Sequence, residues 1–323
     1  MRTIKYPYRL IAWLALISLT VWAWLTPAIA ELPDWSGLGV SFTGARVYRT
    51  VGSRVLALDV YGPAAKPDAL VSSQLRSAVI VVHGGSWNGG SRIAFRYNPG
   101  NIVVRLAQQG LVVFAIDYQL ARPGEPSWPS VVGDLREAVR WVRRHSQEFR
   151  IDRARIAVMG QSAGGHLAAL LGALPERRDN DGVSSRVQAV VSFYGPSDLP
   201  ALMQSRHLNH EPARLLLGDA APGEAGRGVD ASPIAHVTPD DPPVLIIHGS
   251  DDAWVPLDQS VKMASALAIA GVPHRLIVVE GARHGFETLI ESPRHRDLLP
   301  EILAFLEIAW NISSVAATAV FGR

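Results

Sequence analysis

The chain has 323 residues, 48% of them hydrophobic, with 31 basic and 29 acidic side chains and a formal charge of +2. That is enough apolar material for one sizeable core, and it lacks the basic excess that a nucleic-acid partner demands. No cysteine is present, which excludes disulfides, thiol catalysis and cysteine-held metals while leaving the compartment open.

The first residues carry Arg2, Lys5 and Arg9, then an apolar run from Leu10 to Leu25, then Thr26, Pro27 and Ala28-Ile29-Ala30. A basic start, an apolar middle and a small-residue end form the pattern of a secretory signal, here with cleavage after Ala30. The competing reading is an uncleaved membrane anchor, because the run is near the ~17-residue lower limit for spanning. Either way the domain behind residues 1–30 is expected to be exported, and to meet a membrane only if the segment stays attached. Without those three cations, 28 basic residues face 29 acidic ones.

Residues 31–45, rich in Gly, Pro and Ser, read as a leader, with the catalytic domain over 46–311 and a tail over 312–323. Alternating apolar residues in Val47-Tyr48 and Val55 to Tyr61 flank Gly52-Ser53 and predict a β-hairpin. The runs Ala78 to Val82, Leu111 to Ile116, Ile156 to Met159 and Ala189 to Phe193 are short, β-branched and almost wholly apolar, as strands buried on both faces must be. Val244 to Ile247 and Arg275 to Val279 predict two more.

Helical patterns fall between and after them: Ile102 to Gln109, Val131 to Phe149, His166 to Leu174, Leu257 to Ala270 closed by Gly271, and Arg296 to Trp310. Alternation of this kind predicts an α/β fold, a mostly parallel sheet flanked by helices with its chemistry at the carboxyl ends of the strands. Leu199 to Pro243 breaks the rhythm. Long, Pro/Gly-rich and clearly apolar only around Ala213 to Leu217, it is expected to form a small cover over the site.

Gly160-Gln161-Ser162-Ala163-Gly164 leaves the Ile156–Met159 strand and opens the next helix. Small residues around a serine at such a turn make a nucleophile elbow, the signature of the α/β-hydrolase fold. A serine hydroxyl needs a base, and the base an orienting acid, which in this fold follow in the order serine, acid, histidine. His284 in Gly281-Ala282-Arg283-His284-Gly285 and an acid in His248-Gly249-Ser250-Asp251-Asp252 leave the last two strands and are the candidates. Asp252 is preferred for the acid, with Asp251 and Asp258 as near neighbours; His83 and His248 are expected to make local hydrogen bonds. The turn His83-Gly84-Gly85-Ser86-Trp87 suits an oxyanion hole, with the amides of Gly84 or Gly85 joined by that of Ala163.

These motifs, with Asp117-Tyr118-Gln119-Leu120, Gly165 and His284-Gly285-Phe286, resemble the hormone-sensitive-lipase-related esterases. Trp87, Tyr194-Gly195-Pro196, Ser232-Pro233-Ile234 and the stretch from Asp252 to Val255-Pro256 are more similar to the acetyl esterase, feruloyl esterase and kynurenine-formamidase-like branch. The similarity runs from Arg46 to Trp310, with Ser86 in place of a frequent third glycine and Gln161 in place of a frequent acid. It implies a serine carboxylesterase with an acyl-enzyme intermediate, no cofactor and no metal, acting on small esters. Short acyl groups are expected, on an alcohol bearing a sugar or aromatic ring; Trp87 and Trp254 are expected either to stack on that ring or simply to pack the loops. An arylformamidase or peptidase using the same triad, or a non-catalytic binding protein of the same fold, are the alternatives.

Overall fold

The structure is a computed structural model that describes residues 33–64, 74–96, 101–204, 210–218, 226–286, 288–290 and 296–311. The expected signal at 1–30 and the tail at 312–323 lie outside them.

Strands β1 (Val40–Val51) and β2 (Arg54–Pro63) form the hairpin, with Val51 opposite Arg54 and Gly52 at φ +58° in the turn. Regular structure thus begins at Val40 and not at Arg46. Phe42 explains the earlier start: its ring stacks on Trp35 at 5.2 Å and meets Tyr61 at 5.1 Å, so the supposed leader contributes to the core.

The remaining strands of the main sheet are β3 (Arg76–Val82), β4 (Val112–Ile116), β5 (Ile151–Gln161), β6 (Ala189–Phe193), β7 (Val244–Gly249) and β8 (His274–Val279). Their order is β1-β2-β4-β3-β5-β6-β7-β8, antiparallel where β2 meets β1 and β4 and parallel elsewhere. Period-two alternation sorts each apolar run between two cores. In β3, Ala78, Ile80 and Val82 face one core and Val79 and Val81 the other, which is why the run carries no polar position.

Helices α1 (Ile102–Gln108), α2 (Ser130–Arg144), α3 (Ser146–Phe149), α4 (Ala163–Ala173), α5 (Leu199–Gln204), α6 (Glu211–Leu217), α7 (Arg227–Asp230), α8 (Asp258–Ala270) and α9 (Leu299–Asn311) cover the sheet. Residues of α2, α4 and α8 close one core, and those of α1 and α9 the other. Asn101 caps α1 by accepting from the amides of Val103 and Val104, and Gly271 ends α8 at φ +71°.

Two expected helices are shorter than their apolar pattern. The run to Phe149 breaks at His145, whose ring stacks on Trp141 at 3.8 Å and donates to the Trp141 carbonyl at 2.7 Å, competing with the helical ladder. Arg296–Asp297 forms β10, paired with β9 (Leu289–Ile290), so the last helix starts only at Leu299. The connection after β6 holds α5, α6, α7 and a 3₁₀ turn at Pro233–His236. Apart from α6, whose apolar residues are legible as Ala213 to Leu217, these are too short for a 3.6-residue period to show.

Candidate active site

Strand β5 ends at Gln161 and α4 begins at Ala163, so Ser162 alone makes the turn, at φ 53° and ψ −119°. A non-glycine residue held there stores roughly 1–3 kcal/mol of strain, tolerated only when the surroundings over-determine it. They do so here. A Cβ added to Gly160 would lie 2.2 Å from the Gly164 carbonyl oxygen, on Gly164 2.2 Å from the Val82 oxygen, and on Gly165 2.7 Å from the Phe193 oxygen. The Ser162 amide donates to Phe193 O at 2.9 Å and the Ser162 carbonyl accepts from the His166 amide at 2.9 Å.

The loops after β7 and β8 bring two more groups to this turn. Ser162 Oγ lies 2.9 Å from Nε2 of His284, whose Nδ1 lies 2.7 Å from Oδ2 of Asp252. A carboxylate accepts only, so Nδ1 carries the proton and Nε2 is left to accept from the serine hydroxyl. Gly249 permits the approach of the two loops, since a Cβ there would stand 2.1 Å from Ala282 O.

The Asp252 side chain is wholly buried. Its Oδ1 accepts from the amides of Trp254 and Val255, each at 2.9 Å. Burial by itself pushes this carboxyl up, but the hydrogen bonds from His248, His284 and the Val255 amide hold it well below the ordinary carboxylate range. Asp251 is exposed and accepts from the Ser250 hydroxyl, and Asp258 pairs with Lys262 at 3.1 Å. Of the three neighbouring aspartates, only Asp252 faces His284.

After β3 the chain runs through Gly85, Ser86 and Trp87 with φ of +115°, +54° and +60°. A Cβ on Gly84 would lie 3.1 Å from Gln161 O and 3.4 Å from Ser162 Cβ, and on Gly85 2.3 Å from Gly89 O. His83 donates to the Gly84 carbonyl at 2.7 Å and stacks on Tyr118, burial pushing its imidazole pKa down. Arg92 ties the loop's exit to Asp117 and Asp59.

A cavity of about 270 Å³ opens at Ser162 and His284, lined also by Ser86, Trp87, Ala163, Leu202, Ala213 and Trp254. Of the three expected oxyanion residues, Ala163 lines it, while Gly84 and Gly85 do not, although Gly84 lies against the nucleophile turn.

The two tryptophans part company. Trp254 is 71% exposed, its ring parallel to His284 at 6.1 Å and 13°. Trp87 is buried, against the expectation of a stacking face at the mouth: its indole turns inward and donates to His166 Nδ1 at 3.0 Å. An indole N–H taken out of water needs such an acceptor. Two residues at the site have no role assigned from the sequence, His166 behind Trp87 and Tyr194, edge-on to His284 at 4.7 Å and donating to Phe286 O, whereas His248, expected to make local hydrogen bonds, makes them with Val255 O and Ser260 Oγ beside Asp252. His248 and Tyr194 end strands and His166 sits in the first turn after the elbow, which is the signal that marks them. Among the described residues no group of three or more His, Asp or Glu side chains is arranged to hold a metal ion.

Sheet order, elbow and the line from serine to histidine to carboxylate define an α/β-hydrolase. Residues 58–267 match the BD-FAE family. The chain belongs to that family, within the α/β-hydrolase esterases related to hormone-sensitive lipase. It is 34% identical to esterase LipC of Mycobacterium tuberculosis, over 65% of this chain and 53% of that one. The chain spans about half the length of the curated relatives it matches. A truncated carbohydrate esterase from gut microbiota superposes with a TM-score of 0.64 at 26% identity, over 80% of this chain and 92% of that one. Esterase 2 of Thermogutta terrifontis with bound propionate gives 0.62 at 29% identity, over 86% and 93%. The same esterase is also known phosphorylated by paraoxon.

Proposed function

We propose that this protein is a serine carboxylesterase that cleaves short-acyl esters through an acyl-enzyme. The observation that carries the reading is the hydrogen-bonded line Ser162, His284, Asp252 opening on a cavity. In the proposed cycle His284 Nε2 takes the serine proton as Oγ attacks the ester carbonyl, and Asp252 stabilises the imidazolium that forms. Amides of Gly84 or Gly85 and of Ala163 receive the oxyanion, an interaction worth roughly 2.7–4 kcal/mol per donor in a comparable site. The imidazolium then protonates the leaving alcohol, and water repeats the sequence on the acyl-enzyme.

Cavity size supports short chains. At about 270 Å³ it falls below the ~300–1,000 Å³ typical of drug-sized ligand sites, and each methylene left outside forfeits about 0.8 kcal/mol. The Thermogutta esterase is known with propionate, a short-chain carboxylate, bound. The exposed face of Trp254 suits a flat sugar or aryl ring on the alcohol side, in keeping with a carbohydrate esterase among the similar structures.

The testing experiment is covalent labelling by a fluorophosphonate probe alongside hydrolysis of p-nitrophenyl acetate. Wild type is expected to do both; Ser162→Ala is expected to do neither while melting normally, the nucleophile being worth on the order of 10⁶ in rate in the subtilisin precedent. Labelling of the mutant would overturn the assignment. Export is proposed on the basic start, apolar run and Ala28-Ile29-Ala30. N-terminal sequencing that finds Glu31 first supports cleavage, and Met1 in the membrane fraction supports an anchor.

A further inference from the structure

We propose that His166 is a positioning residue, a buried latch that holds the oxyanion loop in register with the nucleophile. The inference rests on the esterase reading above. His166 is fully buried and is bonded to neither His284 nor Asp252. Its two ring nitrogens are occupied by groups far apart in the chain. Nδ1 accepts from the Trp87 indole at 3.0 Å, and Nε2 donates to the Ala231 carbonyl at 2.7 Å. An indole N–H only donates and a carbonyl only accepts, so a single neutral tautomer satisfies both.

The loop needs an external hold. Ser86 and Trp87 are consecutive non-glycine residues at φ +54° and +60°, a conformation L-residues leave unless contacts keep them in it. Trp87 has two such contacts, its carbonyl accepting from the Ala121 amide at 2.9 Å and its indole bonded to His166. The second refers directly to the nucleophile, because His166 N donates to Ser162 O within the first turn of α4. One imidazole therefore ties the strained loop to the helix that carries the serine.

Its other nitrogen ties in the cover. Ala231 closes α7, and the next residue, Ser232, donates to Gly228 O at 2.6 Å and accepts from the Leu199 amide at 2.9 Å. Any buried histidine needs one donor and one acceptor; here they come from the oxyanion loop and from the cover, so the one ring joins both to α4.

The test compares wild type with His166→Leu, His166→Asn, His166→Gln, Trp87→Phe and the double variant Trp87→Phe/His166→Leu. Thermal melts and circular dichroism establish folding; kcat, KM and the phosphonylation rate are then measured on the folded proteins. His166→Leu and Trp87→Phe are each expected to lower kcat and the phosphonylation rate by roughly ten- to a hundred-fold, the scale of a small misplacement of catalytic groups. KM is expected to stay within about threefold, since an interaction made in the transition state is what is lost. The double variant is expected to match the worse single one. Asparagine, whose amide oxygen takes roughly the place of Nδ1, is expected to recover kcat better than glutamine, which reaches toward Ala231. Trp87→Phe removes the donor while keeping an aromatic ring and leaves His166 in place, and it carries the test if His166→Leu does not fold. Folded variants with wild-type kcat, or single effects that multiply, would overturn the latch. A wild type inert to both ester and probe would instead remove the esterase reading, and this inference with it.

Discussion

Nε2 of His248 lies 3.3 Å from Oδ2 of Asp252, the same oxygen that receives His284 Nδ1 at 2.7 Å. The His248 ring is itself fixed, its Nε2 donating to Val255 O at 2.8 Å and its Nδ1 within 2.6 Å of Ser260 Oγ. Asp252 is thereby held on both oxygens, and its neighbours leave it one direction in which to orient an imidazole.

Asp252→Asn is expected to depress turnover by up to about 10⁴-fold, because an amide presents the wrong partner to Nδ1 and selects the wrong tautomer. Asp251→Asn, on an exposed carboxylate, is expected to leave turnover within about twofold. Steady-state kinetics on the two purified variants checks the ranking, and the reverse order would make Asp251 the acid.

A stability prediction follows from His166. Burial lowers its pKa from 6.5 to about 4. An unfolded chain therefore takes up this proton below pH 6.5 while the folded one resists it until about pH 4, so stability is complete above 6.5 and falls across that window. The share due to this residue is on the order of 3 kcal/mol. Urea unfolding from neutral pH downward is expected to show a steep decline between those values in wild type and a flatter one in His166→Asn. His83, also shifted down by burial, adds to the decline in both proteins. The depressed Asp252 carboxyl acts lower: its contribution is complete above the ordinary value of 3.8 and is lost as pH falls further.

Gly249→Ala is expected to destabilise the fold by about 3 kcal/mol, the upper end for overpacking, and to suppress turnover. The new methyl would stand 2.1 Å from Ala282 O, separating the loops that carry Asp252 and His284. A soluble variant with wild-type melting temperature and rate would show that the two loops have room to part.

Catalytic efficiency is expected to fall steadily from p-nitrophenyl acetate or butyrate to the palmitate, with an optimum at twelve carbons or more excluding a short-acyl site. Trp254→Ala is expected to raise KM for aryl or glycosyl acetates by roughly fivefold or more, the scale of one aromatic contact, while ethyl acetate is little affected. Equal changes for both classes would assign Trp254 to loop packing.

Ser162 could be read from the chain because the elbow is a local device. The glycines at 160, 164 and 165 are demanded by backbone within the same turn and its neighbouring strands, and small residues at fixed spacing are visible in a string of letters. The alternation of apolar runs was equally local, and it sufficed for an α/β sheet. Strand order was not local, since β4 lies between β2 and β3 only because of long-range packing. The same limit held for side chains. Asp251 and Asp252 are adjacent and chemically alike, and burial beneath His248 and His284 separates them. Two tryptophans on loops looked interchangeable until a left-handed φ and a buried acceptor turned Trp87 inward and left Trp254 in solvent. Residue type and spacing encode what a few neighbouring peptide units must do, whereas the meeting of β5, β7 and β8 at one hydroxyl depends on contacts more than a hundred residues apart in the chain, as with Ser162 and His284.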